Sequence, residues 1–293
     1  MITDIVGRQI PKNELMMKLK RPLPTNRTVE QIWNHYQVES SLASKLKQSD
    51  REGRITLYAT MYEELFLKVP DHPRLTTRES AEMTAAAIQS KMKVLRGFIN
   101  KDTVFAEFAS GDCKFAMELC RQVQFVYGID ISDQSGQPIT TPDNFKLFVY
   151  NGYHLEMEEK SVDVVFSDQL IEHLHPEDTM HHFQLVQTIL KKNGLYVFRT
   201  PHSFCGPHDI SGYFSDEPEG FHLKEWTYQE LAAVLSELKF SSWRGILSVK
   251  GVCMSLPASF FILIEKILST LPRKLQRSVA RLLLPRVSIV VFR

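Results

Sequence analysis

The chain has 293 residues, 43% of them hydrophobic and 24% charged, a globular composition sufficient for one large domain or two smaller ones. Lysine and arginine number 35 against 34 acidic residues, so net charge gives no general attraction to nucleic acid. The four cysteines are scattered without a CxxC spacing, which excludes an obvious disulfide framework or zinc motif.

The first residues, MITDIVGRQIPKNEL, lack the apolar segment of a secretory signal, so we expect a cytoplasmic protein. We predict that residues 1–84 form a helical lid or interface. Within it, Tyr58 and Tyr62 lie four residues apart on a predicted helix, a spacing that favours packing over a direct role at a substrate. A second helix is predicted over 78–99.

From residue 103, apolar strands alternate with helices, the pattern of a mostly parallel sheet covered on both faces. We therefore predict an α/β, Rossmann-like, doubly wound sheet of seven strands in residues 85–293. Pro176 suits the first turn of the helix over 175–193, Gly194 its C-terminal stop, and Thr227 the N-cap of a later helix. The predicted strands are 103–109, 125–131, 145–151, 162–168, 194–201, 241–249 and 287–293.

Residues 252–287 are predicted to be a helical insertion before the last strand. Its most apolar window, 258–271, is too short to cross a bilayer and contains Glu265 and Lys266. The basic stretch 272–286 favours an amphipathic helix packed on the domain, with peripheral contact to an anionic membrane as the alternative.

The segment EFASGDCKFAMEL, residues 107–119, looks like a nucleotide-binding turn with too few glycines. Lys114 occupies the third glycine position of GxGxxG counted from Ala109, which weighs against NAD. Asp130 follows Glu107 by 23 residues and ends an apolar strand, where a carboxylate can accept hydrogen bonds from both ribose hydroxyls. The alternative is a solvated aspartate at a strand end.

Four segments in order resemble the class I S-adenosylmethionine-dependent methyltransferases over about residues 85–250. They are VFAEFASGDC, YGIDIS, NGYHLEMEEKSVDVVFSDQLIEHL and LKKNGLYVFRTP. The resemblance implies S-adenosylmethionine as cofactor and an antiparallel strand inserted near one sheet edge, for which VSIVVFR is the candidate. Because this cofactor has no phosphate, the turn needs fewer glycines.

The resemblance also implies cofactor contacts. It places Glu107 near the methionine amine and Cys113 at the family's last glycine. The implied cofactor-binding residues are Glu107, then Ala109, Ser110 and Gly111 beneath the methionine tail, Asp130 with Ile131 at the ribose, Asn151 with Gly152 at the adenine, and Ser167 with Gln169 near the sulfur.

Histidines are frequent where an acceptor would bind. His202 directly follows the fifth strand and ranks first as base or substrate contact, ahead of His208 and His173; His222 lies in the same region. For each, the alternative is a loop histidine bonded to backbone. His202, His208 and Asp209 could together bind a divalent metal through imidazole and carboxylate ligands. They lack a recognised metal spacing, so metal binding is the disfavoured alternative. His181 and His182 are expected on a solvated helix face.

These features predict transfer of a methyl group from S-adenosylmethionine to a small molecule, with a hydroxyl oxygen as the favoured acceptor. Two alternatives remain: a cofactor-binding scaffold whose catalysis has decayed, and a nucleotide or NAD-type enzyme on a related sheet. The sequence shows no basic stretch with interleaved aromatic residues, so we do not expect a nucleic-acid partner. The N-terminal helices could form an oligomer interface.

Overall fold

The computed structural model describes residues 2–3, 7–75, 80–135, 141–238, 240–249 and 252–293. Its centre is an eight-stranded sheet, and a short pair of strands lies at the N-terminus. The strands are β1 (Ile2–Thr3), β2 (Gln9–Ile10), β3 (Val104–Phe108), β4 (Phe125–Asp130), β5 (Phe145–Val149), β6 (Val162–Asp168), β7 (Leu190–Pro201), β8 (Ser242–Val249), β9 (Val252–Pro257) and β10 (Arg286–Phe292).

The large sheet has the order β5-β4-β3-β6-β7-β10-β8-β9. The first five strands of that order are parallel, so their carboxyl ends meet at one edge. β10 runs antiparallel between β7 and β8, which confirms the inserted strand expected for VSIVVFR. The α/β class is therefore as predicted.

The eighth strand, β9, was not predicted. It forms an antiparallel hairpin with β8 in a segment assigned by sequence to the helical insertion. Val252 and Met254 are exposed on it. Because one face of β9 is exposed and pairing with β8 stabilises it, the sequence of this segment gives only a weak indication of a strand.

Helices cover both faces of the sheet. Alternate residues of β3 point to opposite sides: Phe105 packs with helix residues such as Leu95 and Phe115, whereas Phe108 packs in the core that contains Phe183. The helices are α1 (Lys12–Lys18), α2 (Val29–Gln48), α3 (Arg51–Lys68), α4 (Ala81–Leu95), α5 (Lys114–Leu119), α6 (Pro176–Ile189), α7 (Tyr228–Glu237), α8 (Ala258–Ser269) and α9 (Arg273–Leu283).

The N-terminal helices α2 and α3 pack on loops beyond the strand ends. Their buried side chains, including Leu42 and Leu65, form a core with Tyr153 and Phe221. Thr28 closes a capping box at the start of α2, and the Asp50 side chain caps α3. This docking places both helices beside the carboxyl edge of the sheet.

Two expectations for α6 are wrong. Gly194 does not end the helix, because α6 ends at Ile189 and β7 begins at once; Gly194 lies within β7. His182 is buried rather than solvated, since it lies on the same helical stripe as the buried Thr179 and Val186. Its Nε2 lies 2.8 Å from the Tyr196 hydroxyl.

The insertion contains β9, α8 and α9. Arg273 and Arg277 of α9 pair with Glu217 and Asp216, while Leu282 is exposed. Membrane contact by this segment stays a prediction. Among the described residues, no helix combines the length and apolar character needed to cross a bilayer.

The turn after β3 takes an unusual backbone path. Ala109, Gly111 and Cys113 all have positive φ, of 55°, 57° and 57°. The Gly111 N–H donates to Asp130 Oδ2 at 2.7 Å, and the Ser110 N–H donates to the Ile129 carbonyl at 3.3 Å, so β4 holds the turn. The buried Cys113 side chain packs beneath it, with Sγ 3.6 Å from Ser110 Oγ, and burial raises the pKa of the Cys113 thiol to about 11.

Deleting residues 288–293 should abolish or severely weaken folding. The deletion removes most of β10 from between two strands, including the buried Ile289, Val290 and Val291. Each buried aliphatic side chain contributes roughly 1.5–3 kcal/mol, a large share of a stability of about 5–15 kcal/mol. Thermal unfolding measures the effect, with Leu282→Ser at an exposed site as control. An unaltered melting temperature would contradict the strand assignment.

Ala109→Gly should leave stability unchanged or raise the free energy of unfolding by up to about 1 kcal/mol. Relief of the left-handed conformation, about 1–2 kcal/mol, exceeds the added entropy cost of glycine, about 0.5–1 kcal/mol. Ala86→Gly, on the exposed surface of α4, is the control and should destabilise by about 1 kcal/mol. Denaturant unfolding compares the two, and equal destabilisation would argue against the strained turn.

Candidate active site

A cavity of about 730 Å³ lies at the carboxyl edge of the sheet. One wall comes from the strand ends and the other from the N-terminal helices and the loops after β7. The strand side comprises Ala109, Asp130, Ile131, Gln134, Tyr150, Gly152, Asp168, Gln169, Leu170, His173 and Leu174; the opposite side includes Arg21, Arg27, His35, Glu39, Tyr58, Tyr62, His72, Arg74, His208, Asp209, Tyr213, Phe221 and His222.

Asp130 lines the cavity and is 5% exposed. Its Oδ2 accepts from the Gly111 N–H, and its Oδ1 accepts from the Ile131 N–H at 2.8 Å. Burial raises the pKa of Asp130, although the backbone N–H groups partly oppose that effect. The Ser132 N–H also approaches Oδ1, at 3.4 Å, so the acceptor capacity left for a hydroxyl in the cavity lies mainly on Oδ2.

Glu107 is fully buried beneath the turn. Lys91 Nζ lies 2.7 Å from its Oε1, whereas Oε2 has no partner. Burial raises the pKa of Glu107 to about 7 despite the neighbouring ammonium. A further cation at Oε2 would stabilise the ionised carboxylate, so this oxygen suits an amine. Sequence analysis did not identify Lys91.

The loop after β6 brings Asp168 and Gln169 to the cavity, with Gln169 at a φ of 58°. Arg199 of β7 binds Asp168 through two contacts of 2.9 and 2.5 Å and therefore fixes the loop. Ser167 does not line the cavity; it is buried, and its hydroxyl lies 2.7 Å from the Tyr196 hydroxyl.

At the end of β5, Gly152 and Asn151 have different surroundings. Gly152 lines the cavity at a φ of 87°, and an added Cβ would lie 3.2 Å from the Tyr58 ring. Asn151 is exposed, and its Oδ1 already accepts from the N–H groups of Tyr153 and His154. The Asn151 side chain therefore stabilises the loop, while Gly152 shapes the cavity.

His202, ranked first from sequence as the base, lies away from the cavity. It is fully buried, its Nε2 is 2.8 Å from Glu265 Oε1, and its Nδ1 accepts from the Phe204 N–H. Both ring nitrogens are thus engaged within the protein. His202 has a structural environment that gives it no access to a substrate.

His208 and His222 share one buried carboxylate, Glu225. His208 Nδ1 lies 3.1 Å from Oε2, and His222 Nδ1 lies 2.7 Å from Oε1. Burial opposes the Glu225 charge, but the two histidines outweigh it and hold the pKa of Glu225 at about 2. Glycine is required at Gly206, because a side chain there would collide with the carboxylate. Both histidines line the cavity.

The turn between β6 and α6 contributes Glu172 and His173 beside His222. Glu172 is fully buried; Oε2 accepts from the Thr200 hydroxyl at 2.9 Å, and Oε1 has no partner. His173 Nδ1 donates to the Phe221 carbonyl at 2.9 Å. Burial lowers the pKa of His173 to about 3, so its ring is neutral.

The N-terminal helices add polar groups that sequence analysis missed. His35 Nε2 lies 2.7 Å from Glu39 Oε1, Arg27 lies against His35 Nδ1 at 3.1 Å, and the Arg74 guanidinium lies 5.3 Å from the Tyr62 ring centroid. These residues precede the recognisable strand pattern, which begins at residue 103, by up to 76 residues of chain, and only docking brings them to the cavity. No local motif could have identified them.

Comparison with known proteins agrees with this architecture. Residues 106–198 match the methyltransferase domain family. A protein solved in a complex with the Haloferax volcanii Trm112 methyltransferase activator is 15% identical with a TM-score of 0.52; the match covers 75% of this chain and 94% of that one. No match was found among curated proteins.

A second solved structure is phosphoethanolamine N-methyltransferase 1 of Haemonchus contortus, in complex with phosphoethanolamine and S-adenosylhomocysteine. It is 15% identical with a TM-score of 0.54, and the match covers 83% of this chain and half of that one. At 15% identity, the similarity to these two structures shows the fold alone. The match over residues 106–198 identifies the domain family. Residues 106–198 therefore carry a methyltransferase domain of the class I fold, whose cofactor is S-adenosylmethionine.

Proposed function

We propose that this protein transfers a methyl group from S-adenosylmethionine to a hydroxyl oxygen of a small molecule. The observation that supports this most is that one cavity is lined by Asp130 and the Ala109 turn on one wall and by the Glu225-bound histidines on the other, where the acceptor would bind. A volume of about 730 Å³ lies within the roughly 300–1,000 Å³ common for small-molecule sites.

The residues present fit the cofactor. Asp130 and Gly152 line the cavity, where Asp130 supplies acceptor oxygens for ribose hydroxyls and Gly152 gives room for the adenine. Glu107 is buried and is not among the lining residues, so its unpartnered Oε2 would meet the methionine amine only behind the Ala109 turn. Cys113 packs beneath the turn and is not among the cavity residues, so it does not crowd the methionine tail. When bound, S-adenosylmethionine supplies a methyl group on a sulfonium sulfur.

His208 is the proposed general base. Glu225 is ionised and can only accept, so His208 Nδ1 carries the proton and Nε2 carries the lone pair. The arrangement resembles other bases that a carboxylate orients. The proton that the acceptor hydroxyl loses passes to His208 Nε2. The walls of the cavity hold the acceptor in attack geometry, which contributes much of the rate.

The cofactor assignment predicts that Asp130→Asn weakens S-adenosylhomocysteine binding about 10–100-fold, since it removes a charged acceptor worth about 1.5–3 kcal/mol. Asparagine preserves one oxygen for the turn, unlike Asp130→Ala, which should weaken binding further. Calorimetric titration measures the affinity, with the exposed Asp133→Asn in the same loop as control. Binding of NAD but not S-adenosylhomocysteine would overturn the assignment.

The base assignment predicts that His208→Gln lowers turnover about 10²–10⁴-fold while affinity for S-adenosylhomocysteine stays at the wild-type value. S-adenosylhomocysteine formation is followed over a panel of hydroxyl-bearing molecules. His154→Gln, exposed and outside the cavity lining, should retain full turnover. Undiminished turnover of His208→Gln with an active acceptor would remove His208 from this role.

A further inference from the structure

We propose that Glu172, His173 and His222 bind a divalent transition-metal ion at the acceptor end of the cavity. One ligand atom from each of the three side chains lies within 4.8 Å of the other two. The rings of His173 and His222 are 5.0 Å apart between centroids and nearly perpendicular, at 79°. The cluster therefore offers two imidazoles and one carboxylate around a common point.

Hydrogen bonding fixes which histidine nitrogens bind. His173 Nδ1 donates to the Phe221 carbonyl, and His222 Nδ1 donates to the Glu225 carboxylate. Neither acceptor carries a proton to give, so Nε2 is the nitrogen of each ring that can bind a metal. Burial opposes the charge of His222, but the hydrogen bond to Glu225 outweighs burial and raises the pKa of His222 to about 9, so an ion that binds there displaces a proton from His222 Nε2. A carbonyl or carboxylate behind the ligating imidazole is the usual support of a metal-binding histidine.

Glu172 supplies the independent evidence for a ligand. Its side chain is fully buried, and Thr200 binds Oε2 while Oε1 remains without a partner. A buried unpaired carboxylate oxygen is costly unless a ligand satisfies it. A cation between the two imidazoles provides that partner and compensates the carboxylate charge.

Metal binding requires a local closure of the cluster. Metal–ligand distances of about 2.0–2.2 Å place three ligand atoms roughly 3.3–3.8 Å apart, so atoms that lie within 4.8 Å of one another must approach by up to about 1.5 Å. Two imidazoles with one carboxylate suit zinc or a similar first-row ion with open positions. His173 and His222 both line the cavity, so the open positions face the acceptor.

A second cluster, His35, Glu39 and His72, has similar spacing but a different hydrogen-bond pattern. Arg27, which can only donate, occupies His35 Nδ1, so His35 Nε2 carries the proton that Glu39 accepts. Both nitrogens of His35 are thus committed, and the guanidinium repels a cation. This cluster serves as the control for the first.

The ion gives the acceptor hydroxyl a Lewis acid that lowers the pKa of that hydroxyl, so its proton passes more readily to His208. This use of the ion rests on the proposed methyl transfer, whereas binding of the ion does not. The same carboxylate, Glu225, would then orient one metal ligand and the base.

The test is titration of the chelator-treated full chain with Co²⁺, followed by calorimetry and by visible absorption of the bound ion. We expect one ion per chain with Co²⁺ absorption, at least a tenfold loss of affinity in Glu172→Gln and His222→Gln, and wild-type affinity in His35→Gln. Glutamine at 172 keeps the volume and an oxygen for Thr200. Thermal unfolding and S-adenosylhomocysteine binding check that each variant is folded; His173→Gln replaces any that is not.

Absence of Co²⁺ binding, wild-type affinity in the folded cluster variants, or loss of the site in His35→Gln would overturn the proposal. Metal binding without S-adenosylhomocysteine binding would leave the metal site standing and reject the methyltransferase function. Binding of S-adenosylhomocysteine without binding of Co²⁺ would reject the metal site and leave the methyltransferase function standing.

Discussion

The hydrogen bond from the Gly111 N–H to the Asp130 carboxylate connects the turn after β3 to the end of β4. The turn needs that support, because Ala109 and Cys113 adopt left-handed conformations that favour glycine. With the turn fixed, Ala109 and Asp130 line the same cavity. The interaction thus serves both the fold and the proposed cofactor site, and a strained backbone is retained where a ligand would bind.

A second buried carboxylate, Glu225, organises the opposite wall of the cavity. It binds His208 and His222 through different oxygens and remains ionised because both partners stabilise its charge. Asp209 holds the same loop through the N–H of Gly220 at 2.9 Å. The polar end of the cavity is therefore preorganised by the protein's own acids, an arrangement that suits proton transfer.

The sheet strands and the strand-end position of Asp130 could be predicted because hydrophobic runs and motif spacing are local properties of the chain. Other features depend on contacts between distant segments. His202 follows β7 directly, but sequence position does not say where its side chain points; Glu265 of α8, 63 residues away, binds it in the core. Helix periodicity would have placed His182 on the buried stripe of α6, yet its polarity suggested solvent.

The acceptor end was the least predictable part. Glu172 and His173 lie about 50 residues before His222, and no metal spacing joins them in the sequence. The packing of residues 220–225 against the turn between β6 and α6 brings the three together, with the Lys224 N–H donating to the Glu172 carbonyl. His35 and Glu39 reach the cavity only because α2 docks on the strand-end loops.

The most direct test of the account is methyl transfer from S-adenosylmethionine that carries a deuterated methyl group, in the presence of a small-molecule extract. Mass spectrometry follows the label in the small-molecule and macromolecular fractions. The account predicts a labelled methyl ether in the small-molecule fraction, together with S-adenosylhomocysteine formation that His208→Gln suppresses. Label confined to macromolecules, or no label despite cofactor binding, would contradict it.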